Sequence, residues 1–378
     1  MTKILKLVFF AFVSQCAIAW AAEPENWKPS PEEQAAAKQM ATELGVVLRE
    51  DDKGNVVLLD TAAKRSWVDD YQMGEILKFP ILDRLTVEGP SITDQLAPNI
   101  ARLSSLTSLA MRNTLISDAG IAQLSSLDSL KIIDLRLSPL VSDKSAATLA
   151  AMPSLRAVRI SGVNISDSGV EQLLKLPRLT EIDVRNCRGV TKVGITALSG
   201  KKSLRALKIG GGSIDNDVLI IVAGMKHLTS LSLDNCDISD EGVTQLSSLA
   251  LSDLTIYQAA GVTDKGLASL GAFDKLKSLT LRDISATCSA LANLPHPEKI
   301  RTLNVAQSGI TDKQIDLLTA MTGIEKLILN ETALTDASLD TLAKLKSLKH
   351  LEATQTQIST EGAEKLRKAL PNCTVRVN

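Results

Sequence analysis

Apolar residues along this chain fall into a six-residue phrase, LxxLxL. It opens twelve times, at Leu82, Leu106, Leu130, Leu155, Leu179, Leu204, Leu228, Leu251, Leu276, Ile300, Ile324 and Leu348. Successive openings lie 23, 24 or 25 residues apart. With s as the opening residue, positions s, s+3 and s+5 are apolar in nearly every copy, as in Leu106, Leu109 and Met111 or Leu228, Leu231 and Leu233. The second half of the phrase alternates with period two, which predicts a short strand burying one face. A further apolar set at s+10, s+15, s+18 and s+21 has helical spacing, for example Ile165, Val170, Leu173 and Leu176, or Leu334, Leu339, Leu342 and Leu345. Units this small cannot enclose a core alone. The period therefore predicts an α/β solenoid with a parallel sheet on the concave face and short helices on the convex face.

Between strand and helix stands Ser or Thr followed by Asp: Thr93-Asp94, Ser117-Asp118, Ser142-Asp143, Ser166-Asp167, Ser239-Asp240, Thr263-Asp264, Thr311-Asp312 and Thr335-Asp336. Each hydroxyl suits an N-cap, and the neighbouring carboxylate suits the positive end of its own helix dipole. These acids thus have a structural purpose without any metal or catalytic role.

The phrase followed by I-S/T-D-x-G, as in LTSLSLDNCDISDEGVTQLSSL at 228–249, resembles leucine-rich repeats, nearest to the cysteine-containing, F-box-associated and the ribonuclease-inhibitor-like types. The resemblance covers residues 58–378 and implies a curved horseshoe that binds a protein on its concave face. It also implies an alternative, an adaptor or exported effector in ubiquitin-dependent degradation. Residues 22–80 contain no recognisable F-box-like segment, which weighs against that alternative.

The ends differ from the repeats. Lys3 and Lys6, an apolar run and Ala19-Trp20-Ala21 read as a signal peptide, residues 1–21, cleaved near Ala21-Ala22 and directing a secreted or periplasmic protein. The apolar run is too short to predict stable membrane insertion after cleavage. Residues 22–80 read as an N-terminal cap: a helix opened by Ser30-Pro31-Glu32-Glu33, a hairpin around Asp52-Lys53-Gly54-Asn55, and a degenerate repeat opening at Leu58. Twelve repeats fill 81–371, and 372–378 form a closing half-repeat.

The whole chain carries a formal charge of −1, and removal of residues 1–21 leaves −3. With so balanced a charge and 3% aromatic residues, no basic stripe with stacking aromatics is available for nucleic acid. Cys187 and Cys236 both occupy s+8 two repeats apart, about 10 Å at strand spacing and beyond disulfide reach. Cys288 and Cys373 are further apart still, so no disulfide is expected. His227, His296 and His350 are isolated and predict no metal site, with His227 and His296 read as solvated loop residues. Gly210-Gly211-Gly212 lacks the Gly-Lys-Ser/Thr of a phosphate loop and reads first as turn flexibility, with a notch between Arg185 and Asp234 as the alternative. No nucleophile, base and oxyanion donor are grouped, and neither catalysis nor a cofactor is predicted.

Positions s+2, s+4 and s+6 point from the concave sheet. Row s+4 runs Asp134, Arg159, Asp183, Lys208, alternating in sign at about 4.8 Å, which predicts an ion ladder. Row s+6 adds Arg112, Arg136 and Arg185, with Glu181 at s+2 and the aromatic Tyr257 further along. Two readings fit these residues: a self-paired solvated face, or a docking patch whose arginines engage carboxylates of a protein or glycan partner. The repeat spanning 276–299 lacks the Ser/Thr-Asp start and ends Pro-His-Pro, marking a local irregularity.

Overall fold

The computed structural model describes residues 27–377, so the signal-peptide segment 1–21 lies outside the described residues. Among the described residues fifteen strands form one sheet in strictly sequential order. The first two, β1 (Val47–Glu50) and β2 (Val56–Asp60), are antiparallel, and every later neighbour pair is parallel. The strand from each repeat lies beside the corresponding strand of the next, with Leu85, Leu109, Ile133 and Val158 in register. Their side chains are all on the buried face, together with the helical set Ile165, Val170, Leu173 and Leu176. One continuous apolar core runs from Ala37 to Val377.

A helix at Pro31–Glu43, closed by the Ser30/Glu33 capping box, buries Ala37 and Ala41 at the first end. The sheet register moves the degenerate repeat by two residues. Leu58 pairs with Arg84, the s+2 position of its neighbour, so the unit opens at Val56 rather than Leu58. Val56, Leu59 and Thr61 are accordingly buried, whereas Leu58 is half-exposed. At the other end Thr374–Val377 pairs parallel to His350–Ala353.

Seven of the eight Ser/Thr-Asp hydroxyls cap their own helix or 3-10 turn by accepting an N–H two residues on, Ser239 being the exception. The carboxylates do something the local pattern did not predict. Each reaches the start of the following repeat's helix, where Asp94 accepts from the Ser117 N–H and hydroxyl, Asp118 from Ser142, Asp143 from Ser166 and Asp240 from Thr263. Nine aspartates from Asp70 to Asp336 make this link, with N···O distances of 2.7–3.0 Å, and Asn216 makes it to Ser239 through both ends of its amide. The glycine three residues past the receiving Ser or Thr makes room for the carboxylate arriving from the preceding repeat. A Cβ on Gly194 would stand 2.5 Å from Asp167 Oδ1, and one on Gly120 2.2 Å from Asp94 Oδ1. Where serine replaces that glycine, the Ser145 hydroxyl donates to Asp118.

Two repeats depart from the line. Lys192 stands where the Asp would be and pairs with Asp217 at 2.8 Å on the surface. Cys288 occupies the same place in the irregular repeat, fully buried and in the left-handed conformation at φ 63°. Thr311 consequently receives no carboxylate from the preceding repeat. Its N–H and hydroxyl both donate to its own Gln314 Oε1. The convex side of 276–299 is reduced to two 3-10 turns, Ser289–Asn293 and Pro297–Lys299.

A second constant is the residue at s+7, which adopts positive φ in all twelve repeats, from Gly89 through Asn113, Leu137 and Asn186 to Gln355. Its N–H donates to the s+6 carbonyl of the next repeat, as Asn113 to Arg136, Leu137 to Ser161 and Gly162 to Arg185. This turn ends each strand while keeping the lateral hydrogen bonding intact.

Gly194→Ala is expected to cost about 1–3 kcal/mol by driving Asp167 from its partners. Gly200→Ala, at a helix end with negative φ where nothing lies nearer than 3.5 Å, is expected to leave the melting temperature unchanged or raised. Thermal unfolding of the two variants checks the contrast.

Burial pushes the Asp118, Asp240 and Asp264 carboxyls up, but the hydroxyls and amides of the next repeat outweigh it and hold all three below the ordinary value. The Ser359 hydroxyl does the same for Asp336. Groups lowered in the folded state contribute stability that is complete above the unfolded carboxylate value of about 3.9 and lost as pH falls through the folded values. Urea unfolding at graded pH should therefore show Asp118→Asn less stable at neutral pH, with a shallower loss below about pH 4.

Candidate functional site

The concave rows place the predicted residues side by side, with Asp134, Arg159, Asp183 and Lys208 on consecutive strands in exact register. The ion pairs, however, do not run along that row. Arg136, two residues beyond Asp134 on the same face, lays its guanidinium over it, with Nε on Oδ1 and Nη2 on Oδ2, both at 2.8 Å. Arg112 reaches the same carboxylate from the preceding strand, Nε to Oδ2 at 2.8 Å. Asp183 and Arg185 repeat the fork at 2.9 and 2.8 Å. The planar fork of Arg136 matches both oxygens of Asp134 at once, and with Arg112 already on the same carboxylate no place is left for Arg159. Arg159 has Ser161 instead of an acid or arginine at s+6, so it turns sideways to Glu181, which also takes Lys208 at 3.0 Å. The expected ladder is thus replaced by three clusters crossing the rows.

Burial follows from this. Asp134 is 1% exposed and Asp183 is 0%, so both lie beneath their arginines instead of projecting as free concave acids. Burial pushes the Asp134 and Glu181 carboxyls up, yet the arginines and Lys208 above them win and hold both below the ordinary range. Asp234 is the opposite case, where burial prevails over Arg185 and its carboxyl is raised. The hydrogen bonds it donates to Asp183 raise the pKa of the Arg185 guanidinium, as those to Asp134 raise that of Arg136.

The glycine notch is bridged. Arg185 Nη1 crosses the intervening strand, Ala206–Asp215, to Asp234 Oδ2 at 3.1 Å. Gly210 stands in the row between them, where a Cβ would lie 2.2 Å from the Asp234 carbonyl oxygen. Tyr257 continues the row, and the Arg282 guanidinium stacks on its ring at 4.9 Å while its Nε donates to Gln307. His350 pairs with Glu352 at 2.7 Å near the last strand, and His296 lies 3.4 Å from Glu298. His227 departs from the expectation of a solvated loop residue. Its Nε2 is buried without a hydrogen-bond partner, and burial lowers its pKa.

Residues 73–296 match the leucine-rich repeat region, more than half of the chain. The chain belongs to the leucine-rich repeat family. Among solved structures, this leucine-rich repeat chain is similar to an internalin, InlF, from Listeria monocytogenes at 20% identity, covering 93% of this chain and 97% of that one with a TM-score of 0.49. It is also similar to the Rad7 and Elc1 complex of yeast at 18% identity, covering 91% of this chain and 86% of that one with a TM-score of 0.60. No curated protein matches the sequence. The second likeness supports the solenoid fold.

Among the described residues no group of three His, Cys, Asp or Glu could hold a metal, and no helix is long and apolar enough to cross a membrane. Cys187, Cys236 and Cys288 are buried, with burial raising their thiols, Cys236 to about 12 and Cys288 to about 11. The concave surface from Arg112 to Lys208 is covered by basic side chains paired with Asp134, Glu181 and Asp183. Sequence reading missed the left-handed s+7 column and, with it, the exposed Leu137. The available signal was the run of Gly, Asn, Asp, Gln and Glu at that position, broken by one leucine.

Reversing Arg136 to Glu would set a second carboxylate on buried Asp134. Chemical denaturation should show a loss of about 3–5 kcal/mol for Arg136→Glu, and a clearly smaller one for the neutral pair Asp134→Asn with Arg136→Gln.

Proposed function

We propose that the chain is a secreted or periplasmic, non-enzymatic binding protein that holds a protein partner on its concave face between Arg112 and Lys208. The observation that carries this reading is the row of arginines fixed over buried carboxylates. Arg112, Arg136, Arg159 and Arg185 are held in place by Asp134, Glu181 and Asp183, so their remaining N–H groups are oriented before a partner arrives. Such fixed donors lose little freedom on binding and favour carboxylate acceptors. The N-terminal Lys3, Lys6, apolar run and Ala19-Trp20-Ala21 support export. The concave face carries few aromatic anchors, which supports an extended polar contact of modest affinity.

A photo-crosslinking residue placed at Arg112 or Lys208, with Gln172 on the convex side as control, tests the reading in cells of the source organism. A discrete crosslinked polypeptide from the two concave positions and none from position 172 is expected. Crosslinking from position 172 alone, or none from either concave position, would overturn it. Fractionation of the same cells tests export, the expected outcome being a product that begins near Ala22 outside the cytoplasm.

A further inference from the structure

At the edge of the concave face three leucines stand in solvent: Leu115 is 41% exposed, Leu137 61% and Leu140 50%. They belong to adjacent repeats whose loops are fastened together. The buried hydroxyls of Thr114 and Ser138 hydrogen-bond at 3.0 Å, Ser138 also donates to the Met111 carbonyl, and Asn164 holds the Pro139 carbonyl from the next repeat. The leucines therefore sit on a rigid lip. Leu137 is the one to explain, because it occupies the left-handed s+7 position at φ 62°, where the other eleven repeats carry Gly, Asn, Asp, Gln or Glu. A γ-branched apolar side chain is disfavoured in that conformation, and neither burial nor a hydrogen bond through its side chain offsets the cost. The next repeat places Gly162 beside it, and a Cβ there would lie 3.0 Å from Leu137 Cδ2.

The neighbours of this lip are cationic. Arg136 precedes Leu137 in sequence, and Arg112 lies on the adjoining strand with only its Nε engaged by Asp134. Arg159 follows on the next strand. Glu88, opposite Arg112 in the register, limits the basic stretch at one end, and Asp183 and Asp234 around Arg185 limit it at the other. Within those limits three arginines face two acids, Asp134 and Glu181.

From this juxtaposition we propose that Leu115, Leu137 and Leu140 form the apolar anchor site of the concave interface. It takes an aliphatic or aromatic side chain from an acidic segment of the partner protein, while Arg112, Arg136 and Arg159 take the flanking carboxylates. The proposal rests on the concave face being the binding face, and it adds the partner's chemistry: an apolar residue bracketed by Asp or Glu. Exposed apolar residues beside fixed charges match interfaces in which a few apolar contacts carry most of the affinity.

The test is selection of random phage-displayed peptides on the folded chain, followed by affinity measurement of an enriched synthetic peptide. Enriched sequences with an apolar residue flanked by acids are expected. The selected peptide should bind Leu137→Asn and Leu140→Ser at least tenfold more weakly, and lose affinity with Arg112→Gln. Asn stands at s+7 in three other repeats, Asn113, Asn186 and Asn235, so Leu137→Asn should melt no lower than wild type and the loss cannot be assigned to unfolding. Absence of enrichment, enrichment of basic or wholly polar peptides, or unchanged affinity of the Leu137→Asn variant would overturn the anchor. If affinity responds to Arg112→Gln and Arg159→Gln but not to the leucine variants, the anchor fails and the concave reading stands; if it responds to none of them, both fail.

Discussion

Lateral contact between successive repeats is the constraint on which everything else depends. No repeat has an apolar inventory able to close on itself, so each strand and helix exists only with a neighbour in register. Three sets of polar bonds hold that register: the parallel sheet, the s+7 turn that passes its N–H to the next repeat, and the aspartate that passes its carboxylate to the next helix start. The Asp does not serve mainly the helix on which it stands. It completes the N-terminus of the following one, and the glycine of the S/T-D-x-G phrase is the space through which the preceding repeat's carboxylate reaches.

The concave face obeys the same logic at higher charge density. The sheet fixes Cα positions, but which carboxylate is already taken decides which charges meet. An aspartate is overlaid by an arginine from its own strand, and a glutamate extends sideways to two bases. The result is a face that is nearly neutral in sum yet shows its guanidinium groups outward and hides its aspartates beneath. A surface built this way keeps its shape when a partner leaves, because its charges are already satisfied within the sheet.

Much of the architecture was legible in the sequence, for a definite reason. Leu106, Leu109 and Met111 mark a buried strand face, and Ser117-Asp118 marks a helix start, through rules that act within a few residues. What was not legible depends on distance along the chain or on geometry within a row. The carboxylate of Asp94 has its destination 23 residues away, and nothing local distinguishes that from a dipole interaction. Whether Asp134 pairs with Arg159 or Arg136 is invisible to periodicity, since both lie on the same face. The first unit was misplaced by two residues because Val56 and Leu58 are equally apolar, and only pairing with Arg84 separates them. Leu137 went unnoticed because a leucine in a leucine-rich repeat attracts no notice until its backbone conformation is known.

Cys288 gives the stack a seam. The convex edge is a relay of one helix start holding the next, interrupted at Lys192 and again here, where the Asp264 carboxylate makes the last link before it and Gln314 begins a fresh, self-contained start after it. Across that joint the neighbours are coupled by the sheet, the apolar core and bonds such as Arg282 to Gln307 and the Gly309 N–H to the Ala286 carbonyl, but by no carboxylate at the helix start. In a quasi-one-dimensional structure the coupling between adjacent units sets how far a disturbance travels. A local opening that begins on one side of residue 288 therefore meets a weaker convex coupling at that buried thiol, as it does at Lys192, while the sheet itself runs on unbroken.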